Sequence, residues 1–91
     1  NAEIIPNAFN IYPNPFTNDL NLKYQSGRNG ELKVNLVNSI GQIAVARTFE
    51  VKEGENVITL TDYVREIPNG IYVLTMQLDS EEHMISRIIK K

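Results

Sequence analysis

The chain has 91 residues, 42% of them hydrophobic and 22% charged, which describes one ordinary globular domain and excludes a disordered tail. A formal charge of −2 offers no basic patch for nucleic acid, and the lack of cysteine excludes a disulfide scaffold and a thiolate zinc site. Apolar runs such as Ile71-Tyr72-Val73-Leu74 are far too short to span a membrane.

Residues 1–8 have no sustained period and read as the remnant of a linker, with Ile4 and Ile5 apolar enough to join a sheet edge. The chain opens at Asn1 without a methionine, which suggests a piece of a longer precursor. From residue 9 onward, seven stretches of strand character alternate with turn chemistry. The first, residues 9–12, is closed by Pro13-Asn14-Pro15, where two prolines remove two backbone donors and forbid helix. The second, residues 19–24, sets Leu20, Leu22 and Tyr24 on one side and Asp19, Asn21 and Lys23 on the other, the period of a half-buried strand. Asn29-Gly30 then reads as a hairpin turn into the third strand, residues 31–37, with Leu32, Val34 and Leu36 inward. Asn38-Ser39-Ile40-Gly41 turns the chain again, with Gly41 expected in a left-handed conformation.

The fourth strand, residues 42–51, turns Ile43, Val45 and Phe49 inward, and Arg47 on that apolar side points to a sheet edge or a bulge. Lys52-Glu53-Gly54-Glu55 leads to the fifth, residues 56–61, with Ile58 and Leu60 inward. Residues 62–66 suit one helical turn capped by Thr61 or Asp62, and Pro68-Asn69-Gly70 makes a tight turn. The sixth strand, residues 71–78, is apolar on both faces at its start, as in a central strand covered on both sides. A polar loop at residues 79–82 joins it to the seventh, residues 83–90, with Met84 and Ile88 on one face and Ile85 and Ile89 on the other. Seven short strands with regular turns are the signature of a β-sandwich.

No catalytic or metal-binding constellation stands out. His83 is the one histidine and has no cysteine or second histidine to work with, so it reads as a solvated strand-end residue. The carboxylates Asp79, Glu81 and Glu82, and likewise Glu50, Glu53 and Glu55, lack the alternating spacing of a calcium loop. Ser26, Ser39, Ser80 and Ser86 have no nucleophile elbow, and Gly27-Arg28-Asn29-Gly30 opens no helix that would make it a phosphate loop. Phe9, Tyr12, Tyr24, Tyr63 and Tyr72 could suggest a sugar-stacking platform, but with no tryptophan and three of the five on expected core faces they read as core rather than platform. The residues point to a non-catalytic module without cofactor or metal.

Taken in order, a set of motifs carries more. Ile11-Tyr12-Pro13-Asn14-Pro15 is followed by Asp19-Leu20-Asn21-Leu22, then by Val34-Asn35-Leu36-Val37-Asn38-Ser39-Ile40-Gly41-Gln42. Pro68-Asn69-Gly70-Ile71-Tyr72-Val73-Leu74 and Ile85-Ser86-Arg87-Ile88-Ile89-Lys90-Lys91 complete the set. This arrangement resembles the type IX secretion system C-terminal sorting domain (type A) of exported Bacteroidetes proteins, over nearly all of residues 9–91. Val37-Asn38-Ser39 departs mildly from its middle segment, and Arg87 stands where lysine is common.

The resemblance implies an all-β, immunoglobulin-like sandwich of about seven antiparallel strands. It also implies a role as an address. The domain would direct an upstream cargo from the periplasm through outer-membrane translocon components. A sortase-like protease would then remove it at the cell surface, cutting near or upstream of residues 1–8, with the cargo left on the surface or secreted. Neither nucleic acid nor a membrane-spanning segment is implied, and exposed strand edges allow a monomer or a weak dimer.

Among the motif residues, Pro13, Asn14 and Pro15 would fix a rigid corner, Gly41 and Gly70 would supply unusual backbone angles, and Tyr72 would pack its ring and bond its hydroxyl. The final strand, with Ile85, Arg87, Ile88, Ile89, Lys90 and Lys91, is the expected translocon contact, through strand addition or a basic rim. The alternative reading is an adhesion module of the same fold that binds carbohydrate or protein.

Overall fold

Seven strands form where the period-2 patterns stand. They are β1 (Phe9–Tyr12), β2 (Asn21–Ser26), β3 (Gly30–Asn38), β4 (Ile43–Val51), β5 (Gly54–Thr59), β6 (Gly70–Leu78) and β7 (Glu82–Lys90), with a helical turn α1 (Thr61–Val64) between β5 and β6. The computed structural model describes residues 8–79 and 82–91, so the expectations for residues 1–7 and for the loop tip at 80–81 lie outside it. Three strands form one sheet in the order β1-β2-β5, and four form the other in the order β4-β3-β6-β7. All the strand pairs are antiparallel. The chain crosses between sheets after β2, β4 and β5, as in a Greek-key sandwich, and the expected all-β sandwich is the observed fold.

The core lies between the inner faces. Leu20, Leu22 and Tyr24 from the first sheet meet Leu32, Val34, Leu36, Tyr72, Leu74, Met76 and Ile88 from the second, all fully or almost fully buried. Burying each such large apolar side chain stabilises the fold by about 1.5–3 kcal/mol. Phe16, Leu60 and Val64 close the ends of the same cluster. Tyr24 and Tyr72 are core residues, as the pattern predicted.

Several details differ from the sequence reading. Asn29-Gly30 does not turn a hairpin: β2 pairs with β1 and β5, while β3 belongs to the other sheet. A Cβ on Gly30 would meet the Asp79 carboxylate. That carboxylate is held in place by the Glu31 N–H, which donates to Oδ1 at 2.8 Å. Asn29 has a different task, accepting the Glu53 N–H at 2.8 Å and so joining two crossings at one end of the sandwich.

Ile43 was expected inward and is 64% exposed. The cause is a register shift at Leu36/Val37, where Leu36 faces Val45 but Val37 faces Ile43, which places Ile43 on the outer face. Arg47 on an apolar side is explained by position: β4 is an edge strand, and the guanidinium lies 4.8 Å from the centroid of the Tyr63 ring. The fifth strand begins two residues earlier than expected, and Leu60 rather than Thr61 or Asp62 takes the N-cap of α1, without a side-chain cap. Thr61 Oγ1 instead accepts the N–H of Leu20, the residue just before β2, at 3.2 Å. Strand β6 is central but not covered on both sides, with Ile71 47% exposed and Val73 half-buried.

Candidate functional site

The motif residues and the last strand meet along one edge of the sandwich. Strand β7 ends the four-stranded sheet, so the backbone groups of every second residue point away from β6. At the C-terminal half of the strand those groups are occupied. The Asn14 side-chain amide donates from Nδ2 to the Arg87 carbonyl at 3.1 Å, and its Oδ1 accepts the Ile89 N–H at 3.1 Å. Phe16 continues the pattern as a parallel bridge: its N–H donates to the Ile89 carbonyl at 2.9 Å, and its carbonyl accepts the Lys91 N–H at 2.8 Å. Asn14 therefore stands in for one residue of a neighbouring strand. Pro13 and Pro15, which have no N–H to compete, flank it, and both prolyl bonds are cis. Phe16 is buried to 1% exposure and anchors the segment in the core.

A second tie fixes the same strand from inside. Lys90 is 7% exposed, and its Nζ donates to the carbonyls of Val64, Arg65 and Ile67 at 2.8, 3.1 and 2.7 Å. These are carbonyls at and just beyond the end of α1, groups a helical turn leaves without partners. The expectation of a solvated basic rim is corrected at Lys90 because its charge is spent on that loop. Ile88 is fully buried between the sheets, so its side chain too belongs to the core and not to an accessible contact surface. Ile85 is 66% exposed, Arg87 and Lys91 are exposed, and Ile89 is half-buried.

The remaining motif positions serve the fold. The Tyr72 ring is buried at the start of β6, and its hydroxyl donates to the Pro68 carbonyl at 2.6 Å. This is the tyrosine corner of immunoglobulin-like sandwiches: a ring in the core whose hydroxyl fastens the preceding loop. Burial pushes the phenol above its ordinary pKa of 10.0. Gly41 has φ +87° and Gly70 φ +155°, so each carries the backbone angle expected of it. Asn38 builds the turn around Gly41, its Oδ1 accepting the N–H groups of Ile40 and Gln42 at 3.1 and 2.9 Å.

Sequence reasoning missed Phe16, which joins the edge of β7, and missed that Ile89, named from the last strand, belongs to an outward apolar group at the Gly70 end of the four-stranded sheet. That group comprises Ile43, Val37 and Val73 in one cross-strand row and Ile71 with Ile89 in the next. The pattern on β6 carried the signal, since a strand apolar on both faces can leave one of them uncovered. Among the described residues, no three His, Asp or Glu side chains gather as a metal site. His83 is exposed at the start of β7.

The sequence profile of the family described as secretion system C-terminal sorting domain matches residues 10–91. The chain belongs to this family, the C-terminal sorting domains of type IX secretion. Such a domain implies export across the outer membrane to the cell surface or the medium, interaction with the secretion system and an attached upstream cargo. A search of curated protein sequences finds no match. Among solved structures, the sorting domain is similar to part of a β-glucosidase from Listeria innocua crystallised with gluconolactone. The identity is 12% and the TM-score 0.42, over 91% of this chain and 16% of that one.

Two outcomes follow for the tied positions. Lys90→Met should destabilise the domain by about 2–4 kcal/mol in urea unfolding, since it orphans three carbonyls, while Lys91→Met should stay within about 0.5 kcal/mol; equal effects would contradict the tie. Tyr72 keeps its proton longer folded than unfolded, so its contribution is complete below about pH 10 and is lost as pH rises through the folded pKa. Unfolding free energies from pH 8 to 11.5 should fall less steeply above pH 10 in Tyr72→Phe than in the parent domain.

Proposed function

We propose that the domain is read in the periplasm by outer-membrane translocon components, carries its upstream cargo through the outer membrane, and is then cut off by a sortase-like protease at the surface. The cut falls in the segment before the sandwich, near or upstream of residues 1–8. The observation that carries this reading is the family match over residues 10–91, which takes in the proline corner, the Gly70–Leu74 stretch and the basic C-terminal strand together. The geometry supports it by joining the first and last of these at one sheet edge. In this reading the domain is an address and not a catalyst, with recognition carried by the accessible residues of the last strand, Ile85, Arg87, Ile89 and Lys91.

The test is a reporter with a Sec export signal fused upstream of residues 1–91 and expressed in a bacterium with a working type IX system. The reporter should reach the surface or medium in a form shortened by about the mass of the domain. It should stay full-length and periplasmic in a translocon-deficient strain. Periplasmic retention equal to that of a reporter without the domain would contradict the reading. Export at full length would remove the proteolytic step alone.

A further inference from the structure

The outer face of the four-stranded sheet is chemically graded from end to end. Where β3 begins and β6 ends, its residues are Glu31 opposite Glu50, with Asp79 just beyond β6. The next row is Thr48, Lys33, Gln77 and His83, and the middle row is Ala46, Asn35, Thr75 and Ile85. Toward Gly70 the rows become Ile43, Val37, Val73 and Arg87, then Ile71 and Ile89. Ile43, Ile71 and Ile85 are 64%, 47% and 66% exposed, high for three isoleucines on one sheet face. A grouped apolar surface of this kind, bordered by polar residues, marks an interaction site more often than chance exposure. The charge at this end of the face is Arg87, with Lys91 one residue past β7, and the face's carboxylates lie at the far end, beside Lys33.

The edge beside this patch is not the place to bind. Asn14 and Phe16 already hold the Arg87 carbonyl, the N–H and carbonyl of Ile89 and the Lys91 N–H, so a partner strand would have to displace them. Recognition at the C-terminal end of β7 therefore runs through side chains on the face. We propose that Ile43, Val37, Val73, Ile71, Ile89 and Ile85, with Arg87 beside them, form the docking surface for a protein of the secretion machinery that presents an apolar projection flanked by carboxylates. The proposal rests on the sorting reading above and names the surface that reading requires.

The charge pattern selects this occupant over a second copy of the chain. Two copies stacked patch to patch would pair surfaces whose charged face side chains at this end, Arg87 and Lys91, are all cationic. Two copies stacked end to end would lay the isoleucines on the charged side chains Glu31, Glu50 and Lys33. A lipid surface is held by clusters of roughly four to eight cations, and this end of the face has two.

The test uses the same reporter fusion with Ile71→Ser/Ile85→Ser and, separately, Arg87→Glu. Val57→Ser, at a 59% exposed position on the other sheet, is the control. Each isolated 91-residue chain is checked by thermal unfolding for a midpoint within a few degrees of the parent. The expected result is at least a tenfold drop in export for both face variants and none for the control. Parent-level export of the folded face variants would overturn the docking surface and leave the sorting reading intact. Failure of the unmodified fusion to be exported would overturn both. Two further measurements on the chain alone bear on the occupant. Co-flotation with phosphatidylglycerol vesicles that is lost in the face variants would replace the protein partner by a lipid. A dimer in sedimentation at micromolar concentration that is lost in Ile71→Ser/Ile85→Ser would replace it by a second copy.

Discussion

One side-chain amide determines how the end of this chain is held. Asn14 bonds the Arg87 carbonyl and the Ile89 N–H, two outward groups of an edge strand that would otherwise face solvent or another chain. Phe16 takes the next two groups and buries its ring in the core. An edge strand at a chain terminus is the part of a sandwich most prone to fray. Here it is bracketed: β6 on one side along its whole length, the proline corner on the other along its second half, and the Lys90 ammonium fastened beneath it to the loop after α1.

That arrangement explains why sequence signals from opposite ends of the chain belong together. Pro13-Asn14-Pro15 and Arg87-Ile88-Ile89-Lys90 lie more than seventy residues apart in sequence, yet the asparagine hydrogen bonds span that separation directly. A sorting machinery that reads the last strand reads it in a conformation set by the proline corner. The two halves of the family pattern act as one structural unit, and the outward side chains of β7 are what this unit leaves available.

The strands were legible because their chemistry is local. Leu20-Asn21-Leu22-Lys23-Tyr24 and Glu31-Leu32-Lys33-Val34 alternate plainly, and each apolar residue named there is buried. Errors arose where a distant residue decides the outcome. Asn29-Gly30 looks like a hairpin because nothing local reveals that β2 pairs with β1 and β5 while β3 pairs in the other sheet. Ile43 alternates as an inward residue until the register shift opposite Val37 turns it outward. Lys90 reads as a surface charge because no local signal reveals three loop carbonyls waiting beneath it. The proline corner was visible as a rigid turn, but its partner strand was not, since nothing in Pro-Asn-Pro itself says which edge the amide will bond. Tyr72 was legible as a packed ring with a bonded hydroxyl, while the sequence reading named no acceptor, which is the Pro68 carbonyl.

The central claim is that the proline corner holds the second half of β7. Residue-resolved amide hydrogen exchange measures this directly, because the Ile85 and Ile89 amides point the same way from the same strand and differ in whether Asn14 receives them. The account predicts that the Ile89 and Lys91 amides exchange at least tenfold more slowly than that of Ile85, and that Asn14→Ala erases most of the difference at Ile89. Equal exchange at Ile85 and Ile89 in the unmodified domain would contradict it.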